Sequence, residues 1–161
     1  MNNILFIITG SIAASRCKEI ITLLRNKEVK ISCILTKEAK KYLKISDFKK
    51  LLKNRIFTDE DEKKNKMLHI NLSRDNDMIV VCPATANSIA KFANGYGDNL
   101  SSNTLLASNK KILFVPAMNS FMWHNKINQK NVRFLKDSGH EFIGPKVGNL
   151  KCGEFGLGRI D

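Results

Sequence analysis

The chain has 161 residues, 43% of them hydrophobic, and a formal charge of +12. That length suits one domain with a full core and is short for two. No apolar run approaches the roughly 20 residues of a membrane span. The opening "MNNILFIITGSIAAS" has no basic residue ahead of its apolar run, so it reads as a strand and loop rather than a signal peptide. The expectation is a soluble cytoplasmic protein with no membrane partner. The charge invites a nucleic-acid reading. Its lysines, however, are scattered through every segment, the mark of a compositional bias, and no nucleic-acid partner is expected. A positive field would still raise encounter rates with a phosphorylated small molecule.

In chain order, strand and helix alternate. "ILFII" (Ile4 to Ile8) reads as a strand ending at Thr9-Gly10-Ser11. From Ile12 to Arg25 the apolar residues Ala13, Cys17, Ile20, Ile21 and Leu24 form a helical stripe. "VKISCIL" (Val29 to Leu35) is a second strand, and Thr36 can cap the helix after it. Residues 45 to 66 have no clear period beyond a short strand at Ile56-Phe57, and "DEDEKKNK" (Asp59 to Lys66) reads as a solvated loop. "MIVVC" (Met78 to Cys82) is a strand. A helix covers Ala86 to Ala93, ended by Asn94-Gly95, and another begins near Leu100. "KILFV" (Lys111 to Val115) is the next strand, followed by a helix from about Asn125 to Lys136 and a short strand at Glu141 to Ile143. Fully apolar strands alternating with helices imply an α/β, three-layer Rossmann-like fold, a parallel sheet with helices on both faces.

Ligands bind such sheets at the carboxyl ends of the strands. There the sequence places "TGSIAAS", "LTKEA", "PATANS" and "PAMNSFMW". Gly10 allows close backbone approach, Ser11 offers a hydroxyl, and a helix start supplies free N–H groups for an anion; a simple helix cap is the plainer reading. Neither a glycine triplet for a dinucleotide nor a Gly-Lys-Ser/Thr loop is present, so a mononucleotide phosphate fits better. Thr85, Asn87 and Ser88 exceed what one cap needs. Asn119, among Met118, Phe121, Met122 and Trp123, must pair its amide if buried, because an unsatisfied buried polar group costs about 1–3 kcal/mol. A ligand carboxylate or a local turn bond would satisfy it. His69, in "LHINLS", reads on its own as a structural side chain, and His124 and His140 carry no assigned role. Cys17, Cys33, Cys82 and Cys152 lack the spacing of a zinc or redox site, and only Cys152 sits in a polar, glycine-rich stretch.

Taken together, these segments resemble the homo-oligomeric flavin-containing cysteine decarboxylases. "PAMNSFMW" looks like their Pro-x-Met-Asn-x-x-Met-Trp signature, "PATANSIAKFANGYGDNLSSNTLLA" like their Pro-Ala-Ser/Thr-Ala-Asn segment and its continuation, "TGSIAAS" like their N-terminal loop, and "HINLS" like their active-site His segment. "CGEFGLGR" (Cys152 to Arg159) resembles the Cys-Gly…Gly-x-Gly-Arg motif of the branch acting on 4′-phosphopantothenoylcysteine. No synthetase segment follows it, so the expectation is a single flavoprotein decarboxylase domain over residues 1–161.

The resemblance implies FMN-dependent decarboxylation of 4′-phosphopantothenoylcysteine to 4′-phosphopantetheine in coenzyme A biosynthesis. FMN oxidises the cysteinyl CH₂–SH carbon to a thioaldehyde, which sits β to the carboxylate and acts as the electron sink. CO₂ leaves, and the resulting enethiol is re-reduced by the flavin. By motif matching, the catalytic residues are His69, Asn119 and Cys152. Asn119 holds the carboxylate, His69 serves as base or orienting group, and Cys152 is the proton donor to the enethiol. Gly10, Ser11, Thr36, Thr85, Ala86 and Asn87 are matched to FMN, and Met118, Asn119, Met122 and Arg159 to substrate, with Phe121 packing nearby. Gly153, Gly156 and Gly158 suit a flexible lid. Ser15-Arg16 replaces the Tyr-Lys of many relatives, which puts any substrate contact there in doubt. The family implies a homo-oligomer, a trimer or a multiple such as a dodecamer, with FMN at the subunit interface. Alternatives are a lantibiotic-type peptidyl-cysteine decarboxylase and a flavin-binding regulatory homologue without activity.

Overall fold

The computed structural model describes residues 3–27, 29–150, 153 and 155–160. Strand β1 (Asn3–Ile8) leads through a 3-10 stretch (Ile12–Arg16) into helix α1 (Cys17–Arg25). Then come β2 (Lys30–Leu35), a 3-10 turn (Ala39–Lys41), α2 (Ile45–Leu51), β3 (Ile56–Phe57), α3 (Asp59–Lys64) and α4 (Leu68–Asp75). The second half holds β4 (Met78–Ala84), α5 (Ala86–Ala93), α6 (Leu100–Leu106), β5 (Ile112–Pro116), α7 (Ser120–His124), α8 (Lys126–Asp137) and β6 (Glu141–Phe142). A hairpin of β7 (Lys146–Asn149) and β8 (Phe155–Arg159) follows. None of the described helices is long and apolar enough to cross a membrane.

Six strands form one parallel sheet in the order β3-β2-β1-β4-β5-β6. Side chains alternate across a strand, and the apolar runs fill both faces. Phe6 and Ile8 join Cys17, Ile21 and Phe48 on one side. Leu5 and Ile7 join Leu72, Ile89 and Leu105 on the other. Each such fully buried side chain contributes about 1.5–3 kcal/mol. The order reverses between β1 and β4, which opens a crevice at the carboxyl ends of those two strands.

Pro83 lies inside β4, where it has no N–H for the ladder, and the register against β5 shifts between Val81 and Ala84. The Thr9 hydroxyl donates to the Pro83 carbonyl at 2.5 Å, tying the ends of the two central strands together.

Four segments differ from the sequence reading. The helix expected after Thr36 is only a 3-10 turn, Ala39–Lys41. The helix expected from Ile12 begins as a 3-10 stretch and becomes α-helical only at Cys17. The acidic run is α3 rather than a solvated loop. Thr58 and Asp61 form its capping box, and four acidic residues occupy its first turn, where the helix dipole favours them. The glycines Gly156 and Gly158 lie in a docked strand, not a free lid. Ser120 Oγ donates to Leu157 O at 2.8 Å, and Met118 N donates to Gly158 O at 3.1 Å.

Candidate active site

The crevice between β1 and β4 opens into a cavity of about 1030 Å³. Four loops build it, those after β1, β2, β4 and β5, with the β7–β8 hairpin and the start of α6 as further walls. Gly10, Ser11, Thr36, Thr85, Ala86, Asn87, Met118, Asn119, Met122 and Arg159 all line it.

Each loop is held by its own caps. Ser11 Oγ accepts from Ala13 N at 3.3 Å, and Thr36 Oγ1 from Ala39 N at 3.3 Å. A Cβ on Gly10 would lie 2.3 Å from Glu38 Cβ, so glycine is what lets the β1 and β2 loops meet at the cavity floor. Thr85 and Ser88 bond to each other across the first turn of α5. Asn87, exposed beside them, makes no described hydrogen bond and remains available to a ligand.

Asn119 makes the local bond that its sequence offered. Its Oδ1 accepts from Met122 N at 2.8 Å, capping α7. With the oxygen fixed, the NH₂ is the part of the amide left for the cavity. Its neighbours are anchored: Met118 N by Gly158, and Met118 Sδ by Asn128 Nδ2 at 3.5 Å. Asn128 and Gln129 of α8 both donate to Trp123 O, closing the far end of α7.

Charge in the cavity is unevenly paired. Lys91 holds Asp98 at 2.5 Å and keeps its carboxyl below the usual range. Glu38 pairs with Lys41, and Asp59 accepts from Leu100 N at 3.0 Å. Lys37 and Arg159 also line the cavity, and among the described residues neither forms an ion pair, although Lys37 helps lower the Glu38 carboxyl. Lys91 on α5, Asp98 in the α5–α6 loop and Ser102 on α6 escaped the sequence reading because none of them directly follows a strand.

Two expected site residues stand apart. His69, on α4, does not line this cavity; its Nδ1 lies 2.7 Å from Glu62 Oε1. Phe121 is 79% exposed and outside it. Cys152 lies outside the described residues. The buried thiols are poor candidates to replace it. The hydrogen bond to Cys82, then burial, push Cys17 far up, and burial pushes Cys33 up.

The flavoprotein family model matches residues 1–161. The chain belongs to the flavoprotein family. This flavoprotein is 31% identical over 161 residues to a probable phosphopantothenoylcysteine decarboxylase of Streptococcus mutans, covering 98% of this chain and 90% of that one. It also matches bifunctional coenzyme A biosynthesis proteins of Bacillus subtilis and Haemophilus influenzae at 32% and 36% identity, covering 99% and 95% of this chain but only 40% and 39% of their length. Among solved structures, a PPC decarboxylase mutant complexed with pantothenoylaminoethenethiol superposes with a TM-score of 0.88 at 28% identity, covering 99% of this chain and 91% of that one. The FMN-dependent cysteine decarboxylase SpaF gives 0.87 at 28%, covering 98% and 90%. The flavoprotein fold expected from the sequence is therefore the fold observed.

Proposed function

We propose that this flavoprotein binds FMN in the cavity and decarboxylates 4′-phosphopantothenoylcysteine to 4′-phosphopantetheine, a step of coenzyme A biosynthesis. The observation that carries the reading is Asn119: a helix-capping amide whose NH₂ has no described partner, on the wall of a cavity also lined by the cations Lys37 and Arg159. That arrangement suits a carboxylate and a phosphate on one substrate. Its relatives' names support the same activity.

The residues present fit FMN. The cavity reaches the top of the roughly 300–1000 Å³ range of ligand sites, enough for a cofactor and a substrate together. Ser11, Thr36 and Asn87 supply hydroxyl and amide donors, and Ile12, Leu105 and Met118 supply apolar surface for a flat ring. When bound, FMN supplies reversible two-electron chemistry at the cysteinyl side chain, which makes loss of CO₂ feasible.

The chain does the rest. Asn119 orients the carboxylate by donating to it, with Met118 and Met122 excluding water. Arg159 offers a cation to the substrate. His69 moves the proton of the oxidation step, a role typically worth about 10²–10⁴ in rate. Cys152 donates the proton that completes reduction of the enethiol; in Cys152→Ser the enethiol should accumulate, and full product formation would remove that role.

A homo-oligomer, a trimer or a multiple of it, completes the reading. His69 is absent from the cavity of its own chain, so a second copy would have to bring it there. Phe121, Ile127 and Phe155, exposed at 79%, 73% and 74%, lie on α7, α8 and β8 and offer apolar surface to such a copy.

The test compares FMN-loaded protein on 4′-phosphopantothenoylcysteine and on peptides ending in cysteine. Release of CO₂ from the first and not the second is expected. Turnover of peptides alone would support the peptidyl-cysteine alternative, and flavin binding without turnover the regulatory one.

A further inference from the structure

The pair Glu62–His69 has no place in the cavity, yet it is more sheltered than any other acid–base pair among the described residues. Its side chains are 18% and 25% exposed. In the helical pairs Arg16–Glu19 and Lys63–Glu60, and in Lys111–Glu141, both partners are more than half exposed, the kind of contact that holds little geometry. Glu62 Oε1 and His69 Nδ1 are both buried and lie 2.7 Å apart, an ion-pair contact whose alignment falls short of a hydrogen bond, and neither has a hydrogen-bond partner elsewhere. The second carboxylate oxygen faces Asn103 Nδ2 at 3.4 Å. The helix that carries Glu62 is itself fastened, because Asp59 accepts from the first N–H of α6. Three helices, α3, α4 and α6, thus converge on one imidazole nitrogen.

An imidazole has two nitrogens, and a fixed partner on one decides which form the other takes. A carboxylate can only accept, so Nδ1 must carry the hydrogen. Nε2 is then the nitrogen that is bare in the neutral ring and free to take or return a proton. We propose that Glu62 is a positioning residue for His69: a carboxylate oxygen 2.7 Å from Nδ1 selects the Nδ1–H tautomer and leaves Nε2 as the working atom. The inference rests on the proposed reaction only for its kinetic consequence. The tautomer assignment stands on the short Nδ1–Oε1 distance.

The experiment uses the full chain loaded with FMN and labelled with ¹⁵N at histidine. His69→Ala identifies the His69 signals among those of the three histidines. At mildly alkaline pH, wild-type His69 should show a protonated Nδ1 and a bare Nε2, and Glu62→Ala should move both signals toward the averaged pattern of an untethered ring. Decarboxylation should fall about 10–100-fold in kcat, the usual effect of removing such a supporting group. KM should stay within about twofold, because Glu62 does not line the cavity. Glu62→Gln keeps the volume and guards against a folding artefact; it should retain the tautomer in part and lose less rate than Glu62→Ala. In the double variant His69→Ala/Glu62→Ala, rate should be no lower than in His69→Ala alone, since the two act as a unit. A wild-type proton on Nε2, or both Glu62 variants turning over at the wild-type rate, would overturn the proposal. A wild-type protein that decarboxylates nothing but shows the Nδ1 proton would remove the reading of the reaction and leave the positioning intact.

Discussion

At the residue scale, Asn119 caps α7 and is proposed to hold the substrate carboxylate, two tasks that substitution can separate. Aspartate caps a helix as well as asparagine does but has no NH₂ and would repel a carboxylate. Asn119→Asp should therefore keep the melting temperature and lose turnover, whereas Asn119→Ala should also lose about 0.5–2 kcal/mol of stability. Thermal melts beside a CO₂ assay check this; an active Asn119→Asp would end the assigned role. His140 shows the opposite kind of histidine. Its Nδ1 accepts from Ile112 N at 3.2 Å, its ring packs between Phe92 and Phe114, and burial lowers it below the ordinary 6.5. The unfolded chain then takes up the proton first as pH falls, so stability should drop from about pH 6.5 downward. His140→Gln should flatten that slope in denaturant melts between about pH 7 and pH 5, and an unchanged slope would contradict it. The composition around Asn119 made it readable in advance. The Glu62–His69 pair was not, because its partners sit on two short helices separated by a turn that no period spans.

At the scale of elements, the strands of the six-stranded sheet and α5 were legible because their signals are local: apolar runs, and a Thr cap answered by Asn94-Gly95. α3 was missed because an acidic run without apolar residues reads as solvent-facing. Its meaning comes from Leu100 and His69, distant in sequence. The β7–β8 hairpin was missed for a related reason, since its glycines serve close approach rather than freedom. A Cβ on Gly158 would sit 1.9 Å from Met118 O, and one on Gly156 2.2 Å from Ser120 Oγ. Gly158→Ala should therefore cost about 1–3 kcal/mol through overpacking and also lower turnover, because the displaced carbonyl precedes Asn119. Wild-type stability with wild-type rate in that variant would show that the hairpin does not brace the loop.

For the whole molecule, the four loops could be assigned to one edge from the sequence because a parallel sheet puts every strand's carboxyl end on the same side. What one chain could not reveal is where its histidine works. If sites are shared between copies, co-expressing Asn119→Asp with His69→Ala should restore activity that neither variant has alone, since some sites in mixed assemblies receive one intact residue from each. Mixed assemblies with no activity would place both residues in the same chain's site. The account as a whole depends on a C–C bond breaking in this cavity with no net redox change. Given FMN and 4′-phosphopantothenoylcysteine labelled in its cysteinyl carboxylate, the wild-type protein should release the label as CO₂, form 4′-phosphopantetheine and leave flavin absorbance unchanged at the end. Label retained in the thiol, or flavin bleached in proportion to substrate consumed, would contradict it.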